Sequence, residues 1–263
     1  MDAWNGPEHR YFVIPTRDGS PSVAHGALGA EKAGEPMHSL AGAWGETDSI
    51  YGSALDWARD RGWPLRLAVV GLGLGMIEAR AARGWKGDLS PDLQILSWEA
   101  DGHLVECLQI WLEDPADPRV PSPLGAAYQN VMERAGAGTS ESLLELLRSG
   151  RWKIKGALDE AALNGAAADT RVTAGAEGAR PGSAAWRATV IAFDAYSGHT
   201  SPALWDEGFL RRFLRRYADE NCILTTYAAK GTLKRALLSE GFTLTPRPGY
   251  AGKRESTWAV RGA

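Results

Sequence analysis

An aspartate at the end of an apolar segment, Asp194, is the residue whose position most clearly indicates chemistry. Residues 188–193 are predominantly apolar, which predicts a buried strand that ends directly before Asp194. Ser201 and Pro202 follow a short loop and have the residue types of a helix N-cap and a first helical position. A carboxylate at the carboxyl end of a parallel strand lies where open α/β sheets bind their ligands. The alternative is an aspartate that only turns the chain, and this segment alone does not decide between the two.

A glycine loop forms a second candidate site, after a predicted strand at residues 65–70. Gly71, Gly73 and Gly75 have the spacing G-x-G-x-G, and glycines allow a close approach of the backbone to a ligand. Dinucleotide-binding loops have the spacing G-x-G-x-x-G, so this loop favours S-adenosylmethionine over NAD. Glu99 ends the next predicted strand, where a carboxylate can accept hydrogen bonds from both ribose hydroxyls. Glycines also serve the packing of a helix on a strand, so the loop and the acid indicate a cofactor site only together.

Predicted strands and helices alternate through the middle of the chain and position these residues. Strands are predicted at residues 65–70, 93–98, 152–154, 188–193, 222–227, 242–246 and 255–261, and helices at 48–61, 76–83, 101–113, 202–217 and 231–240. Residues 115–123 are expected to break this order. Alternation followed by two strands in succession predicts an α/β, Rossmann-like domain with a mostly parallel sheet and an antiparallel C-terminal hairpin. Class I S-adenosylmethionine-dependent methyltransferases have this arrangement.

The length and composition of the chain are those of an ordinary globular protein. Its 263 residues are 44% hydrophobic and 23% charged, and we expect a single domain over residues 1–263. Residues 1–62 are expected to be an N-terminal extension that packs on the core, and the Gly/Ala-rich residues 164–184 a flexible insertion. No apolar segment has the length of a membrane span and the polar start is no signal peptide, so we expect a cytoplasmic protein without membrane association.

Cysteines and histidines give no sign of a disulfide framework or a metal site. Cys107 and Cys222 lie within apolar patterns, so we expect reduced core residues. The five histidines are scattered and make no zinc signature. His38 and His199 are candidate bases, but a loop histidine is more often a structural hydrogen-bonding residue, and we place neither before Asp194.

The charge of the chain is unevenly distributed. The net charge is −3, but residues 205–263 carry eleven Lys or Arg against six Asp or Glu, which leaves −8 for residues 1–204. In residues 210–217 the apolar side chains recur at helical spacing, so the arginines between them form a strip on the exposed face. This strip is either the footprint of a polyanionic partner or a solvated helix surface, and the sequence explains both equally well.

Several separated motifs occur in one order along the chain. They are His38-Ser39-x-x-Gly42-Ala43-x-x-Glu46, the glycine loop with Glu99, Asp194-Ala195-Tyr196-Ser197 with Pro202 and Trp205, Thr226-Tyr227-Ala228, Gly241-Phe242, and Gly249 with Lys253-Arg254-Glu255. On these motifs the chain resembles the MnmC-type methyltransferase family, bacterial tRNA enzymes that methylate the aminomethyl group on a wobble uridine. The resemblance covers most of the chain outside residues 115–185 and implies a stand-alone methyltransferase without the oxidase of some members.

The resemblance implies a catalytic residue and a cofactor site. Asp194 is expected to accept a hydrogen bond from the substrate amine, so that the nitrogen lone pair points at the methyl group. We add Asp159 as a candidate contact to the adenine amine. The further residues expected to bind S-adenosyl-L-methionine are Glu46, Gly71, Gly73, Gly75 and Glu99.

The resemblance also implies a substrate site for tRNA. Tyr196 is expected to stack against the uracil ring. Tyr227 ends a strand on the ligand side of the sheet, where it either lines the pocket or simply packs. Lys253 and Arg254 lie beside the predicted edge of the active site and are expected to contact RNA phosphates. The expected partners are the anticodon stem–loop of a tRNA and an oxidase supplied by a separate chain.

The chain departs from the family pattern at several positions. Val69 stands where the family usually has an acid for the methionine ammonium, and Met76 near where an asparagine is common. Gly198, Thr200 and Ser201 stand where a proline, a lysine and an asparagine are common. Two alternatives follow: a class I methyltransferase acting on a small amine or another nucleic acid, or a non-catalytic binding protein on a degenerate methyltransferase fold.

Overall fold

The computed structural model of this chain describes residues 2–83, 92–165, 180–181, 183 and 186–262. Its first strands form a small antiparallel sheet in the order β1-β2-β3, which consists of β1 Asp2–Asn5, β2 His9–Pro15 and β3 Pro21–Ala27. Tyr11 of β2 and Val23 of β3 are buried in one hydrophobic cluster with residues of the larger sheet. The small N-terminal sheet therefore packs on the rest of the domain.

The larger sheet has seven strands and is mostly parallel. They are β4 Arg66–Val70, β5 Gln94–Trp98, β6 Trp152–Lys155, β7 Ala188–Phe193, β8 Ala218–Thr226, β9 Thr243–Arg247 and β10 Ser256–Arg261. Their order is β6-β5-β4-β7-β8-β10-β9, with β10 antiparallel to β8 and β9 and the other neighbours parallel. The predicted α/β domain with an antiparallel C-terminal hairpin is thus confirmed.

Helices cover both faces of the seven-stranded sheet. They are α1 Ala43–Thr47, α2 Ser53–Asp60, α3 Met76–Ala82, α4 Gly102–Glu113, α5 Ser122–Ala135, α6 Thr139–Arg148, α7 Glu160–Gly165, α8 Glu207–Tyr217 and α9 Gly231–Ser239, with a π-helical turn, Asp48–Gly52, between α1 and α2. In β4, Leu67 and Val69 face the layer of α2 to α6, whereas Ala68 and Val70 face the layer of α8 and α9. Burial on both faces is the reason that the parallel strands are continuous apolar segments.

The predicted helix over residues 202–217 is two helices in the structure. A short 3-10 helix occupies Pro202–Trp205, and α8 begins at Glu207. Asp206 is the N-cap of α8, because its Oδ1 accepts a hydrogen bond from Phe209 N at 2.8 Å. The helix start at Pro202 with Ser201 as the N-cap residue is as predicted, although Ser201 makes no capping hydrogen bond through its side chain. The continuous helix to residue 217 was wrong.

The helix α5 was not predicted. Residues 115–123 do interrupt the order of elements, but α5 follows directly, with Leu124, Tyr128 and Val131 buried at helical spacing. The predicted insertion at residues 164–184 lies mostly outside the described residues. Within the described part of the chain, no helix combines the length and the apolar character needed to cross a bilayer.

Candidate active site

A cavity of about 520 Å³ lies at the carboxyl ends of β4, β5 and β7. Gly71 and Gly73 follow β4, Glu99 follows β5 and Asp194 follows β7, and all of them line this cavity. Tyr196 lines it too, and β2 and β3 of the small sheet contribute further side chains. Because parallel strands end at one edge of the sheet, residues from three distant segments meet in one site.

The backbone of the glycine loop requires glycine at Gly71. Its φ is +94°, and a Cβ atom there would lie 2.4 Å from the carbonyl oxygen of Asp194. Gly73 has a φ of +52°, and its N–H donates to Glu99 Oε2 at 2.9 Å. Gly75 has a φ of +72° and caps α3 without lining the cavity. The loop is thus in direct contact with the segments of both acids, Glu99 and Asp194.

Glu99 is held by backbone hydrogen bonds to both carboxylate oxygens. Besides Gly73, Asp101 donates its N–H to Glu99, at 2.9 Å from Oε1. Burial raises the pKa of Glu99, while these backbone donors lower it. Each carboxylate oxygen has a second lone pair, so Glu99 can still accept hydrogen bonds from a ligand hydroxyl.

Asp194 is fixed through its backbone and its side chain. Its N–H donates to the carbonyl oxygen of Val70 at 2.8 Å, and the hydroxyl of Tyr51 donates to Asp194 Oδ1 at 2.6 Å. Burial raises the pKa of Asp194 to about 7, although the hydrogen bond from Tyr51 lowers it. A carboxyl group with a pKa near neutrality can accept and release a proton at physiological pH.

Glu46, Tyr227 and Lys253 lie next to Asp194 but do not line the cavity. Lys253 Nζ donates to Glu46 Oε1 at 2.8 Å and lies 5.2 Å from the centre of the Tyr227 ring. The Tyr227 hydroxyl donates to the carbonyl oxygen of Ala195 at 2.9 Å. After burial and the hydrogen bond from Tyr51, the two charges of this ion pair act on the pKa of Asp194 in opposite directions, since Glu46 raises it and Lys253 lowers it.

Asp159 and Arg254 lie apart from the cavity. Asp159 is exposed, and its Oδ1 accepts from Ala162 N at 2.7 Å near the start of α7. Its neighbour Leu158 does line the cavity. Arg254 is exposed before β10 and has neither a hydrogen bond nor an ion pair to any described residue. The structure therefore does not bring these two residues together with the glycine loop and Asp194.

Three residues that line the cavity have a buried polar atom without a hydrogen-bond partner among the described residues. These atoms are the hydroxyl oxygen of Tyr196, Nδ1 of His38 and Nε1 of Trp98. Burial lowers the pKa of His38 to about 4, so its imidazole is neutral near pH 7. The other candidate base, His199, is exposed and does not line the cavity.

The sequence analysis missed two groups of side chains at this site. One is Tyr51, which lies within the predicted helix at residues 48–61, and no spacing connects it to Asp194, 143 positions later. The other is a set of rings from the small sheet, including His9, Tyr11 and His25. The two-residue spacing of His9 and Tyr11 puts both on one face of a strand and was the available signal.

Three of the positions that depart from the family pattern have defined surroundings in the structure. Val69 and Met76 are buried core residues. The hydroxyl of Thr200 donates to Glu35, in the segment that follows β3.

Cys107 and Cys222 are buried and form no disulfide. Among the described residues, no group of three or more His, Cys, Asp or Glu is arranged to hold a metal ion.

The arginine strip of α8 is largely paired with carboxylates of other elements. Arg211 and Arg215 both bond Glu240, and Arg212 bonds Glu160. These contacts satisfy the guanidinium groups within the protein. They favour the interpretation of the strip as a helix surface over that of a polyanion footprint.

Comparisons with known proteins agree with this arrangement. Residues 158–262 match the model of a family described as S-adenosyl-L-methionine-dependent methyltransferase. A curated relative, the tRNA 5-methylaminomethyl-2-thiouridine biosynthesis bifunctional protein MnmC of Hahella chejuensis (strain KCTC 2396), is 31% identical over 67 residues. That alignment spans 26% of this chain and only 10% of the relative.

Solved structures extend the comparison to nearly the whole chain. The crystal structure of MNMC2 from Aquifex aeolicus has a TM-score of 0.58 and 22% identity, over 96% of this chain and 70% of that one. A probable spermidine synthase from Corynebacterium glutamicum ATCC 13032 has a TM-score of 0.47 and 14% identity, over 98% and 78% of the two chains. The fold is that of class I methyltransferases. Over residues 158–262 the chain is similar to a family of methyltransferases whose cofactor is S-adenosyl-L-methionine.

Proposed function

We propose that this protein transfers a methyl group from S-adenosyl-L-methionine to the aminomethyl group of a wobble uridine in tRNA. The observation that carries the proposal is the position of Asp194, a buried carboxylate in the same cavity as the glycine loop and Glu99. The name of the Hahella relative, a tRNA 5-methylaminomethyl-2-thiouridine biosynthesis protein, supports an aminomethyluridine substrate.

The residues of the cavity fit the cofactor. Gly71 and Gly73 leave a cradle without side chains, and Glu99 offers carboxylate oxygens beside it. When bound there, S-adenosyl-L-methionine supplies an electrophilic methyl group on a sulfonium. Glu46 and Asp159 do not line the cavity, so as cofactor contacts they remain proposals.

Asp194 orients the substrate amine in the proposed reaction. The carboxylate accepts a hydrogen bond from an N–H of the neutral amine and so directs the nitrogen lone pair at the methyl carbon. The new C–N bond forms as the bond between the methyl carbon and sulfur breaks, which leaves S-adenosyl-L-homocysteine as the second product. The nitrogen becomes more acidic in this step, and Asp194 is in place to take its proton. Tyr51 holds one carboxylate oxygen during this step, which leaves the other for the amine.

The remaining contacts to the RNA are proposed from the side-chain types, an aromatic ring for the base and cations for the phosphates. The ring of Tyr196 stacks on the uracil, because it lines the cavity two residues after Asp194. Tyr227 supports this segment through the carbonyl of Ala195. Arg254 contacts a phosphate of the anticodon stem–loop, and Lys253, already paired in the protein, adds to the local positive charge. A cytoplasmic location and an oxidase on a separate chain complete the proposal.

The experiment combines purified protein, methyl-labelled S-adenosyl-L-methionine and tRNA that carries 5-aminomethyluridine at the wobble position. Nucleoside mass spectrometry is expected to detect methylaminomethyluridine. Asp194→Ala should abolish this product and bind the cofactor in calorimetry as the wild type does. Methylation of small amines but not of this tRNA would favour a methyltransferase with a small-amine substrate. A folded protein that binds no cofactor would favour a non-catalytic binding protein.

A further inference from the structure

We propose that the small N-terminal sheet supplies a stacking surface for the pyrimidine base of the RNA substrate. This surface, the ring wall, consists of His9, His25 and Tyr196, which all line the cavity. The inference rests on the proposed function, since it places the uridine of that reaction. It assigns substrate recognition to β2 and β3, outside the residues that match the methyltransferase family model.

The rings of the wall are in contact with one another. His9 of β2 and His25 of β3 stack with ring centroids 4.6 Å apart and an angle of 20° between their planes. The antiparallel pairing of β2 with β3 puts His25 opposite Tyr11 and so makes His9 its diagonal neighbour. His25 in turn meets the ring of Tyr196 edge-on, with the centroids 5.8 Å apart. Planar rings in this arrangement suit a flat ligand.

The ring wall is separate from the cofactor cradle but adjacent to Asp194. The cradle is formed by the glycine loop and Glu99 at the ends of β4 and β5. Tyr196 follows Asp194 by two residues, so the wall begins beside the carboxylate that orients the amine. A base that stacks on the wall therefore presents its aminomethyl group near Asp194.

An unpartnered polar group in the wall indicates a ligand independently of the ring contacts. The Tyr196 hydroxyl is buried without a hydrogen-bond partner among the described residues. A buried hydroxyl without a partner is unfavourable, and most are satisfied by protein, water or ligand. The carbonyl oxygens of a uracil are acceptors that can satisfy this donor.

Glu35 fastens the two parts of the wall to each other. It lies in the segment after β3, and its carboxylate accepts hydrogen bonds from the Ser197 hydroxyl at 3.1 Å and from the Thr200 hydroxyl. The Asp194 loop is thus tied to the small sheet. This preorganisation lowers the entropic cost of binding a base between them.

The experiment measures binding of an anticodon stem–loop RNA with 5-aminomethyluridine at the wobble position, by fluorescence anisotropy. His25→Ala is expected to weaken this binding about tenfold, because it removes one stacking partner. His25→Phe, which keeps a ring, should stay within about threefold of the wild type. Calorimetry should give an unchanged Kd for S-adenosyl-L-methionine, and Leu28→Ala, an exposed position after β3, serves as the matched control.

A second RNA, abasic at the wobble position, separates the ring wall from the proposed reaction. The wild type should bind it about tenfold more weakly, whereas His25→Ala should not distinguish the two RNAs. Two results would overturn the proposal that the ring wall binds the base. One is that His25→Ala discriminates between the two RNAs as well as the wild type does, and the other is that His25→Ala loses as much affinity for the cofactor as for the RNA. Intact discrimination without methylation of the first RNA would instead contradict the proposed reaction.

Discussion

At the scale of single residues, the chemistry of the site depends on the hydrogen bond from Tyr51 to Asp194. Tyr51 is 1% exposed, and its hydroxyl donates to the carboxylate at 2.6 Å. This donor stabilises the ionised carboxylate and opposes the effect of burial, which raises the pKa of Asp194 to about 7. In the proposed reaction Tyr51 is therefore a positioning residue, and it favours the ionised form of Asp194 that would accept a hydrogen bond from the amine.

Tyr51→Phe should move the pH dependence of turnover to higher pH. Without the donated hydrogen bond the pKa of Asp194 rises above about 7, and a larger fraction of the carboxyl group is protonated at neutral pH. We expect kcat near pH 7 to fall about three- to tenfold and to recover at higher pH. Tyr217→Phe, which removes another buried hydroxyl, is the control. A loss that is equal at every pH would contradict this role.

Glu78→Gln should stabilise the protein, and more so at high pH. Glu78 is fully buried, one oxygen accepts from Ser97 at 2.6 Å, and the other has no partner among the described residues. Burial raises its pKa from 4.5 to about 8, so the unfolded chain releases the proton first as pH rises. The free energy of unfolding therefore falls as the pH rises from about 4.5 to about 8.

Thermal melts at several pH values test the Glu78 prediction. At alkaline pH we expect a Tm for Glu78→Gln about 3 °C or more above that of the wild type, and a much smaller difference near pH 4. Glu106→Gln, at an exposed position of α4, should leave the pH dependence of Tm unchanged. A Tm difference that does not vary with pH would exclude the ionisation of Glu78 as its cause.

At the scale of elements, the glycine loop and the strand ends form the edge of the sheet at which the cavity lies. The loop after β4 contacts the loop after β7 so closely that Gly71 leaves no space for a side chain. It also bonds the acid that follows β5 through Gly73. The loops after β4, β5 and β7 are therefore connected by direct contacts at the edge where the cavity lies.

Gly71→Ala should disrupt both stability and cofactor binding. The added Cβ would lie 2.4 Å from a backbone oxygen, in addition to the strain of a φ of +94°. We expect a loss of about 3 kcal/mol in the free energy of unfolding and weaker S-adenosyl-L-methionine binding. Gly62→Ala isolates the strain, because its φ is +68° but nothing lies within 4 Å, and should cost only about 1 kcal/mol. Equal effects of the two changes would contradict the close contact.

The sequence predicted those elements that are defined locally. Parallel strands buried on both faces are apolar segments that end at the first polar residue, so the strand-end positions of Glu99 and Asp194 could be predicted. The start of α8 could not, because Ser201 and Asp206 both have the residue type of an N-cap, and only their hydrogen bonds distinguish them. The contact of His9 with His25 arises from the pairing of β2 and β3, which no local pattern specifies.

At the scale of the whole molecule, the positive charge of the C-terminal part is mostly neutralised within the protein. The arginines of α8 pair with Glu160 and Glu240, and in α9 Lys234 pairs with Glu255 and Arg235 with Glu207. Net charge along the sequence therefore overstates the charge that a polyanion meets. Exposed cations without such a partner, such as Arg254, are the better candidates for contact with RNA.

Arg254→Gln and Arg212→Gln should differ in their effect on RNA affinity. Arg254 has no ion pair with a described residue, so its loss should weaken binding and reduce the slope of log K against log salt by about 1. Arg212 is paired with Glu160, and its loss should leave the RNA affinity and the salt slope nearly unchanged. Measurement of the RNA affinity of the two variants at several salt concentrations checks this prediction. A larger effect of Arg212 would restore the α8 strip as the RNA-binding surface.

The hydrogen bonds of Glu35 to the Asp194 loop join two walls of the cavity that come from distant parts of the polypeptide. The seven-stranded sheet, the glycine loop with Glu99, and Asp194 all follow residue 65, whereas His9 and His25 of the opposite wall belong to β2 and β3. These two rings lie on strands that carry neither the glycine loop nor Asp194, so substitutions there can change the contacts to a base without changing the cofactor cradle. Exchange of the small sheet between homologues is thus a route to altered nucleobase preference with unaltered methyl-donor chemistry.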